Sequence, residues 1–264
     1  MKKFWFMLTA LVATCFLVAC SGSQGVSPKT IKEKKIVVAT ESEFAPFEFK
    51  SLVNGKDTLV GADIELAKAI GEKLGVKVEF SVMSFDNVLA SVQSGKSDIA
   101  IAGISVTDGR KKVYDFSDSY YTSENVVIVK KDKVNDFTNA DSLAKQTVGT
   151  QKGSVQESVA KKQISKASVV SLASNGEMIN ELKSGQIQAV VLEKAIAEGY
   201  ITQNDDLTLA SFNLKSDGSD AYAVATRKGS DDLLKEINAV IKETKDSGQF
   251  DQWLKEASTY KQSK

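Results

Sequence analysis

Histidine is absent from the 264-residue chain. With it go the Ser-His-Asp triad, the Cys-His pair and the imidazole metal site. Cysteine is nearly absent: Cys15 and Cys20 both sit near the amino terminus, so the body has neither a disulfide framework nor a thiolate cluster. Neither sign of charge prevails, since 34 basic residues face 34 acidic ones; that balance argues against a dedicated nucleic-acid binder, which needs excess Lys and Arg on phosphates. GxGxxG, P-loop, HExxH and CxxC motifs are missing. The hydroxyls have no imidazole partner to make a nucleophile. The chain therefore reads as a non-enzyme with no cofactor or metal, and carboxylate-dependent lyase chemistry is the one catalytic reading that composition leaves open. What is present is ordinary: 42% hydrophobic and 26% charged residues, enough for one large domain or two modest lobes.

The amino terminus accounts for the cysteines. Met1, Lys2 and Lys3 make a basic start, and Phe4 to Ala19 runs without a charge, too short for a comfortable membrane span. It reads as a secretory signal. Its end, Leu17-Val18-Ala19-Cys20, resembles the bacterial lipoprotein box. That resemblance implies a signal peptide over 1–19, acylation (palmitate among the acyl chains) at Cys20, and a protein held on the extracytoplasmic face of the cell membrane. A plain secretory signal cut nearby, or an uncleaved anchor, is the alternative. Residues 20–34, rich in Ser, Gly and Lys and without apolar period, read as the flexible tether. Loss of Lys2 and Lys3 would leave the body slightly acidic, so no basic membrane-binding surface is indicated.

Beyond the tether the pattern alternates. Lys35 to Thr40 reads as a buried strand and Asp63 to Leu74 as a helix, with Asp63 a plausible N-cap, Ile64, Ala67, Ile70 and Leu74 on one face, and Gly75 its stop. Strand Val76 to Val82, helix Asn87 to Gln93 and strand Asp98 to Ala102 follow, implying parallel pairing through helical crossovers. A second series of strands falls near Val126 to Val129, Val148 to Thr150, Val169 to Leu172 and Ala189 to Leu192. Residues 89–103 align with 179–193, each a helix end, a Ser-Gly stop and an apolar strand. Gly103 and Glu193 thus occupy matching strand ends, where open α/β sheets bind ligands. Ala221 to Thr226 reads as one more strand, and Asp231 to Asp246 and Phe250 to Ala257 as amphipathic helices returning to the first lobe. Lobe 1 is then 35–123 plus 222–264 and lobe 2 is 124–221. The chain crosses twice between them, near Thr122 to Asn125 and Ser219 to Tyr222, as a hinge does.

Three loops follow strand ends. Thr40 to Phe49 sets aromatic rings beside acids, a ligand wall or simply a turn with core aromatics. Ala102 to Arg110 offers Gly103 for close backbone approach, the hydroxyls of Ser105 and Thr107, and the Arg110 fork for a carboxylate; with Lys111 and Lys112 adjacent, that arginine also fits a solvated surface. Gln151 to Gln156 opens a helix whose free N–H groups suit an anion.

These residues carry a family resemblance. Phe44-Ala-Pro-Phe-Glu-Phe49, then Val60-Gly-Ala-Asp-Ile-Glu-Leu66, then Gly103-Ile-Ser-Val-Thr-Asp-Gly-Arg110, then Tyr114 to Tyr121 together resemble the polar amino-acid-binding proteins of ABC importers, solute-binding family 3. The resemblance runs from about Lys35 to the C-terminal helices. It implies a type II periplasmic-binding-protein-like α/β fold, two lobes joined by two hinge crossings, with one free amino acid in the cleft between them. It implies a likewise monomeric partner of a membrane permease and its ATPase. Arg110 matches the arginine on the ligand α-carboxylate, supported by the backbone near Ser105 and the loop at Ser154. Gly103, Ser105 and Glu193 match positions receiving the ammonium group, and Gln156 one beside the carboxylate. Phe44 and Phe85 match an aromatic pair that sandwiches the ligand side chain, and Glu41 an acid at its tip. The chain departs from the pattern at Ala62 for a large apolar residue, Gly109 for Glu, Val155 for Thr and Glu193 for Asp. Glu41 beside two aromatic faces suits a cationic side chain (arginine, lysine, ornithine or histidine), while glutamine or cystine also fits. A same-fold dehydratase-like enzyme and an amino-acid-sensing lipoprotein are the alternatives.

Overall fold

A computed structural model describes residues 34–263 except 217 and 219. The expected signal peptide over 1–19, the expected lipid site Cys20 and the expected tether up to residue 33 lie outside the described residues.

The run Lys35-Ile-Val-Val-Ala-Thr40 forms β1 (Lys35–Thr40), with Ile36, Val38 and Ala39 fully buried. A strand apolar on both faces must be covered on both. β2 (Glu43–Phe44), β3 (Glu48–Val53) and β4 (Lys56–Val60) make a small antiparallel sheet that turns at Asn54 and Gly55. Then come α1 (Ala62–Leu74), β5 (Lys77–Val82), α2 (Phe85–Gln93), β6 (Ile99–Ala100), the single turn α3 (Asp108–Lys111), β7 (Tyr114–Phe116) and β8 (Tyr121–Thr122). The second series is β9 (Asn125–Lys130), β10 (Thr147–Gln151), α4 (Val155–Gln163), β11 (Ser168–Leu172), α5 (Asn175–Ser184), β12 (Ala189–Glu193), α6 (Lys194–Thr202) and β13 (Leu207–Leu214). The chain closes with β14 (Ala221–Tyr222), β15 (Ala225–Arg227), α7 (Asp231–Asp246) and α8 (Gln249–Ala257).

Two five-stranded sheets result, ordered β5-β1-β6-β15-β7 and β11-β10-β12-β9-β13. The expected parallel crossovers form: β1 pairs with β5 and β6, and β10 with β11 and β12. β15 and β9 run antiparallel to their neighbours instead. Each of these strands enters its sheet directly after a crossing between lobes, so the right-handed crossover rule does not bind it. The crossings themselves pair as β8 with β14.

Three local readings are corrected. Ala221 to Thr226 is two short strands, because Ala221 and Tyr222 pair at the crossing and Ala225 to Arg227 join the main sheet. The helix expected at Asp63 begins at Ala62 and is preceded by Gly61, not capped by Asp63. Gly61 sits at φ 132°, and a Cβ there would lie 2.0 Å from the Phe47 carbonyl oxygen, so only glycine lets the strand enter the helix at that angle. Finally, the Glu48 to Val60 hairpin, α6 and β13 escaped the sequence reading. Their short apolar runs are broken by polar residues such as Lys50, Asp57 and Glu198, which blurs the period.

Candidate functional site

The 90-residue offset read from sequence puts Ile99 opposite Ala189, and both do start strands, β6 and β12. Beyond these strands the chain turns into the cleft, bringing Gly103 and Ser105 from the first lobe toward Glu193 from the second. Gly103 has φ 51°, and a Cβ on it would fall 2.4 Å from Phe44 Cε1. The aromatic ring and the backbone are thus in contact through the space a side chain would need. Ser105 forms an isolated antiparallel bridge with Tyr222, tying the loop to the second crossing.

Arg110 leaves α3, whose first turn is capped by Thr107 Oγ1 accepting from the Arg110 N–H at 3.1 Å. Its guanidinium donates from Nη1 to the Ser105 carbonyl at 2.7 Å and from Nη2 to the Gly153 carbonyl at 3.1 Å. The second of these bonds spans the two lobes. Arg110 also lies over the Phe85 ring, its Cζ 5.7 Å from the centroid, a cation–π contact. Two of its five N–H donors are engaged in these bonds, so others remain to grip a carboxylate. Burial lowers its pKa to about 10, partly offset by the attraction of Glu193; it stays cationic at neutral pH.

Glu193 ends β12, is 6% exposed and carries a pKa of about 7. Burial raises it, and its own backbone N–H, Tyr222, Arg110 and Gln156 pull it back down. The Tyr222 hydroxyl stands beside it without completing a well-formed hydrogen bond. Gln156 in turn donates from Nε2 to Asn125 Oδ1 at 2.8 Å. Ser154 serves α4 as N-cap, its hydroxyl accepting from the Glu157 N–H at 3.1 Å; that anchors the loop whose Gly153 carbonyl receives Arg110.

Glu41, 4% exposed, has one side-chain hydrogen-bond partner among the described residues: Gln151 Nε2 donates to its Oε2 at 2.9 Å, across the lobes. Its Oε1 has no hydrogen-bond partner among the described residues. Burial pushes its pKa up to about 8, Glu43 and Glu193 push the same way, and the Gln151 amide opposes. The acid is held where a cation would charge it.

The two expected aromatic walls differ in setting. Phe44 packs on Phe47 at 5.9 Å and Tyr222 at 6.4 Å between ring centroids, within the largest apolar cluster. Phe85 belongs to a separate cluster with Val88 and Ile104 and turns a face to Arg110.

Several site-building residues were not singled out from sequence. Asp63 is fully buried and accepts from the Gly103 N–H at 3.0 Å and from the Tyr120 hydroxyl at 2.8 Å. It fixes the Gly103 turn from behind, leaving the carbonyl as that residue's group for a ligand. Burial raises Asp63 to about 6, and Glu48, which lies against it, is pushed well above the carboxylate range. Asp63 is the member of this pair that accepts the hydrogen bonds. A charged residue at a buried helix-start position was the available signal for Asp63; Gln151, Asn125 and Tyr222 offered none, because their partners are far away in sequence.

An arginine, two acids and two aromatic rings contributed by two α/β lobes are the groups a solute-binding protein would turn on a ligand. Residues 36–257 match the bacterial extracellular solute-binding proteins, family 3, and the chain belongs to that family. It is 34% identical over 260 residues to the arginine-binding extracellular protein of Bacillus subtilis, covering 97% of each chain. An amino acid ABC transporter substrate-binding protein from Streptococcus pneumoniae, solved bound to L-arginine, is similar with TM-score 0.84 and 48% identity over 88% of this chain and 97% of that one. An ancestral arginine-binding protein solved bound to glutamine is similar with TM-score 0.77 and 40% identity, covering 84% and 97% of the two chains. Among the described residues no helix is long and apolar enough to cross a membrane. The family is one of extracellular solute-binding proteins.

Proposed function

We propose that this protein captures one L-amino acid with a cationic side chain, arginine foremost, and delivers it to the permease of an ABC importer. The observation that carries the side-chain assignment is Glu41: once Arg110 and Glu193 answer the two main-chain charges, this acid, bonded only to Gln151, is left for the tip of the side chain. In this reading Arg110 grips the α-carboxylate with help from the loops at Ser105 and Ser154. Glu193, Ser105 and the Gly103 carbonyl receive the ammonium, Gln156 steadies Glu193, and Phe44 and Phe85 flank the aliphatic stem. The arginine-bound relative from Streptococcus pneumoniae supports this choice. Lobe 1 comprises 35–123 plus 222–264 and lobe 2 comprises 124–221. Titration calorimetry across the proteinogenic amino acids, ornithine and cystine should give micromolar or tighter binding for arginine; silence from all of them would refute the reading.

Glutamine is the second ligand to weigh, because Glu41 accepts an amide hydrogen bond as readily and a similar protein was solved with glutamine bound. A ranking with glutamine above arginine and lysine would select it.

The protein works as a monomer tethered through a lipid on Cys20 after removal of residues 1–19. Metabolic labelling with palmitate should mark the wild type and spare Cys20→Ala, and equal labelling of both would remove the anchor from this account.

A further inference from the structure

Glu43 lies beside the site, next to Phe44 in β2, and its side-chain hydrogen bonds go to residues other than those assigned to the ligand. It sits on β2, its backbone paired to Phe49 of the first lobe. Its side chain reaches the second lobe. Oε2 accepts from Ser174 Oγ at 2.5 Å and from the Gly176 N–H at 2.9 Å, both at the amino-terminal end of α5. Ser174 is at the same time the N-cap of α5, accepting from the Glu177 N–H at 3.2 Å. The Tyr200 hydroxyl of α6 donates to the Glu43 carbonyl at 3.2 Å. Three partners on two helices of the other lobe thus converge on one residue. The carboxylate faces free N–H groups at the positive end of a ten-residue helix, which makes these bonds charge-assisted. A Cβ on Gly176 would lie 3.1 Å from Glu43 Oε2, so residue 176 leaves room for the docked carboxylate.

The other rim of the cleft is bridged differently. Lys152 meets Asp86 at 2.8 Å, but the lysine side chain is 60% exposed and free to swing, so that pair is weak and screened by salt. The Glu43 contact is held by a helix cap and backbone and has no such freedom.

We propose that Glu43 is a closure latch: a positioning residue that holds the second lobe over a bound ligand and so sets the rate at which that ligand leaves. The proposal rests on the amino-acid-binding reading above. Opening the lobes about the β8–β14 crossing pulls α5 and α6 away from β2, so all three contacts must break before the ligand is released. The latch acts on the closed state alone; capture from the open state does not use it.

Dissociation of radiolabelled arginine into excess unlabelled arginine tests this in the wild type, Glu43→Gln, Ser174→Ala and Ser174→Asp. Aspartate keeps the α5 cap while setting a second carboxylate against Glu43, which separates the latch from helix stability. Each variant is expected to release arginine about tenfold faster, the size of one charge-assisted contact, with association unchanged within about twofold. Glu43→Gln combined with Ser174→Ala should be faster than either alone by less than the product of the two single effects, because they share one contact. Unchanged release in Ser174→Ala and Ser174→Asp would overturn the latch, as would a Glu43→Gln effect confined to cationic ligands, which would assign Glu43 to the field around Glu41. Failure of the wild type to bind any amino acid would instead remove the functional reading. Small-angle scattering would then judge the latch: a larger radius of gyration for Ser174→Asp than for wild type supports it, and equal radii overturn it.

Discussion

An amino acid is a zwitterion, and enclosing it strands two opposite charges unless each meets a partner. In the proposed reading Arg110 and Glu193 are the residues with which this chain answers that demand, one from each lobe. Removing Arg110 leaves the ligand carboxylate buried and unpaired, at about 3–5 kcal/mol. Arg110→Ala is therefore expected to weaken binding at least about 100-fold by calorimetry while its unfolding transition stays cooperative. Glu41→Gln keeps the hydrogen bond to a neutral side chain and loses the charge, so the preference for arginine over glutamine should fall about tenfold or more, read from the two affinities side by side. At this scale the sequence was informative where chemistry demands a residue type. Arg110 stood in a loop after an apolar strand, and Glu193 at the matching strand end. Gln151 was invisible as the partner of Glu41, because the two are 110 positions apart and only the folded chain brings them together.

At the scale of elements, the loops are positioned by what lies behind them. Asp63 takes the Gly103 N–H, and the buried Tyr120 hydroxyl donates to the same carboxylate. Gly103→Ala combines a strained positive φ with a Cβ 2.4 Å from Phe44, so we expect a loss of about 1–3 kcal/mol in folding free energy and weak or absent ligand binding. Denaturant titration and calorimetry would check the two together; a variant with wild-type values in both would show that the turn does not build the site. The βαβ units were legible because buried parallel strands are continuous apolar runs and their helices have a clear 3.6-residue face. The β2–β3–β4 sheet and the split into β14 and β15 were not. Their strands are two to six residues long, too short for a period to register, and their ends are set by tertiary pairing.

For the whole molecule, buried acids shape the response to pH, and Glu48, pushed well above the carboxylate range by burial, adds to them in the same direction. Asp63, Glu193 and Glu41 have pKa values of about 6, 7 and 8 in the folded chain, all above their ordinary values because burial disfavours charge. The folded state therefore holds more protons than the unfolded state between those limits, and the stability this gives at low pH is lost as pH rises through about 6 to 8. The Tm of the ligand-free protein is expected to fall from about pH 5 to about pH 8.5. A cationic ligand favours the ionised acids, so its binding should release protons and tighten by roughly tenfold or more between pH 6 and 8.5. Calorimetry at pH 7 in buffers of different ionisation enthalpy reads the released protons directly; heats independent of buffer would contradict the charge assignments of Glu41 and Glu193.

The sequence by itself determined the class of molecule. Missing histidine and body thiols removed most enzyme chemistry, apolar runs alternating with amphipathic segments implied layered α/β lobes, and the ordered loops around Phe44 and Arg110 carried the resemblance that implies a ligand cleft. These are local features, fixed by residue type and spacing. Only the tertiary structure decided which acid meets which donor, which strands run antiparallel after a crossing, and that Asp63 supports Gly103 rather than capping a helix. It also brought Glu43 to α5. Such contacts join residues scores of positions apart, and their strength comes from burial and geometry that exist only once both lobes have folded and met.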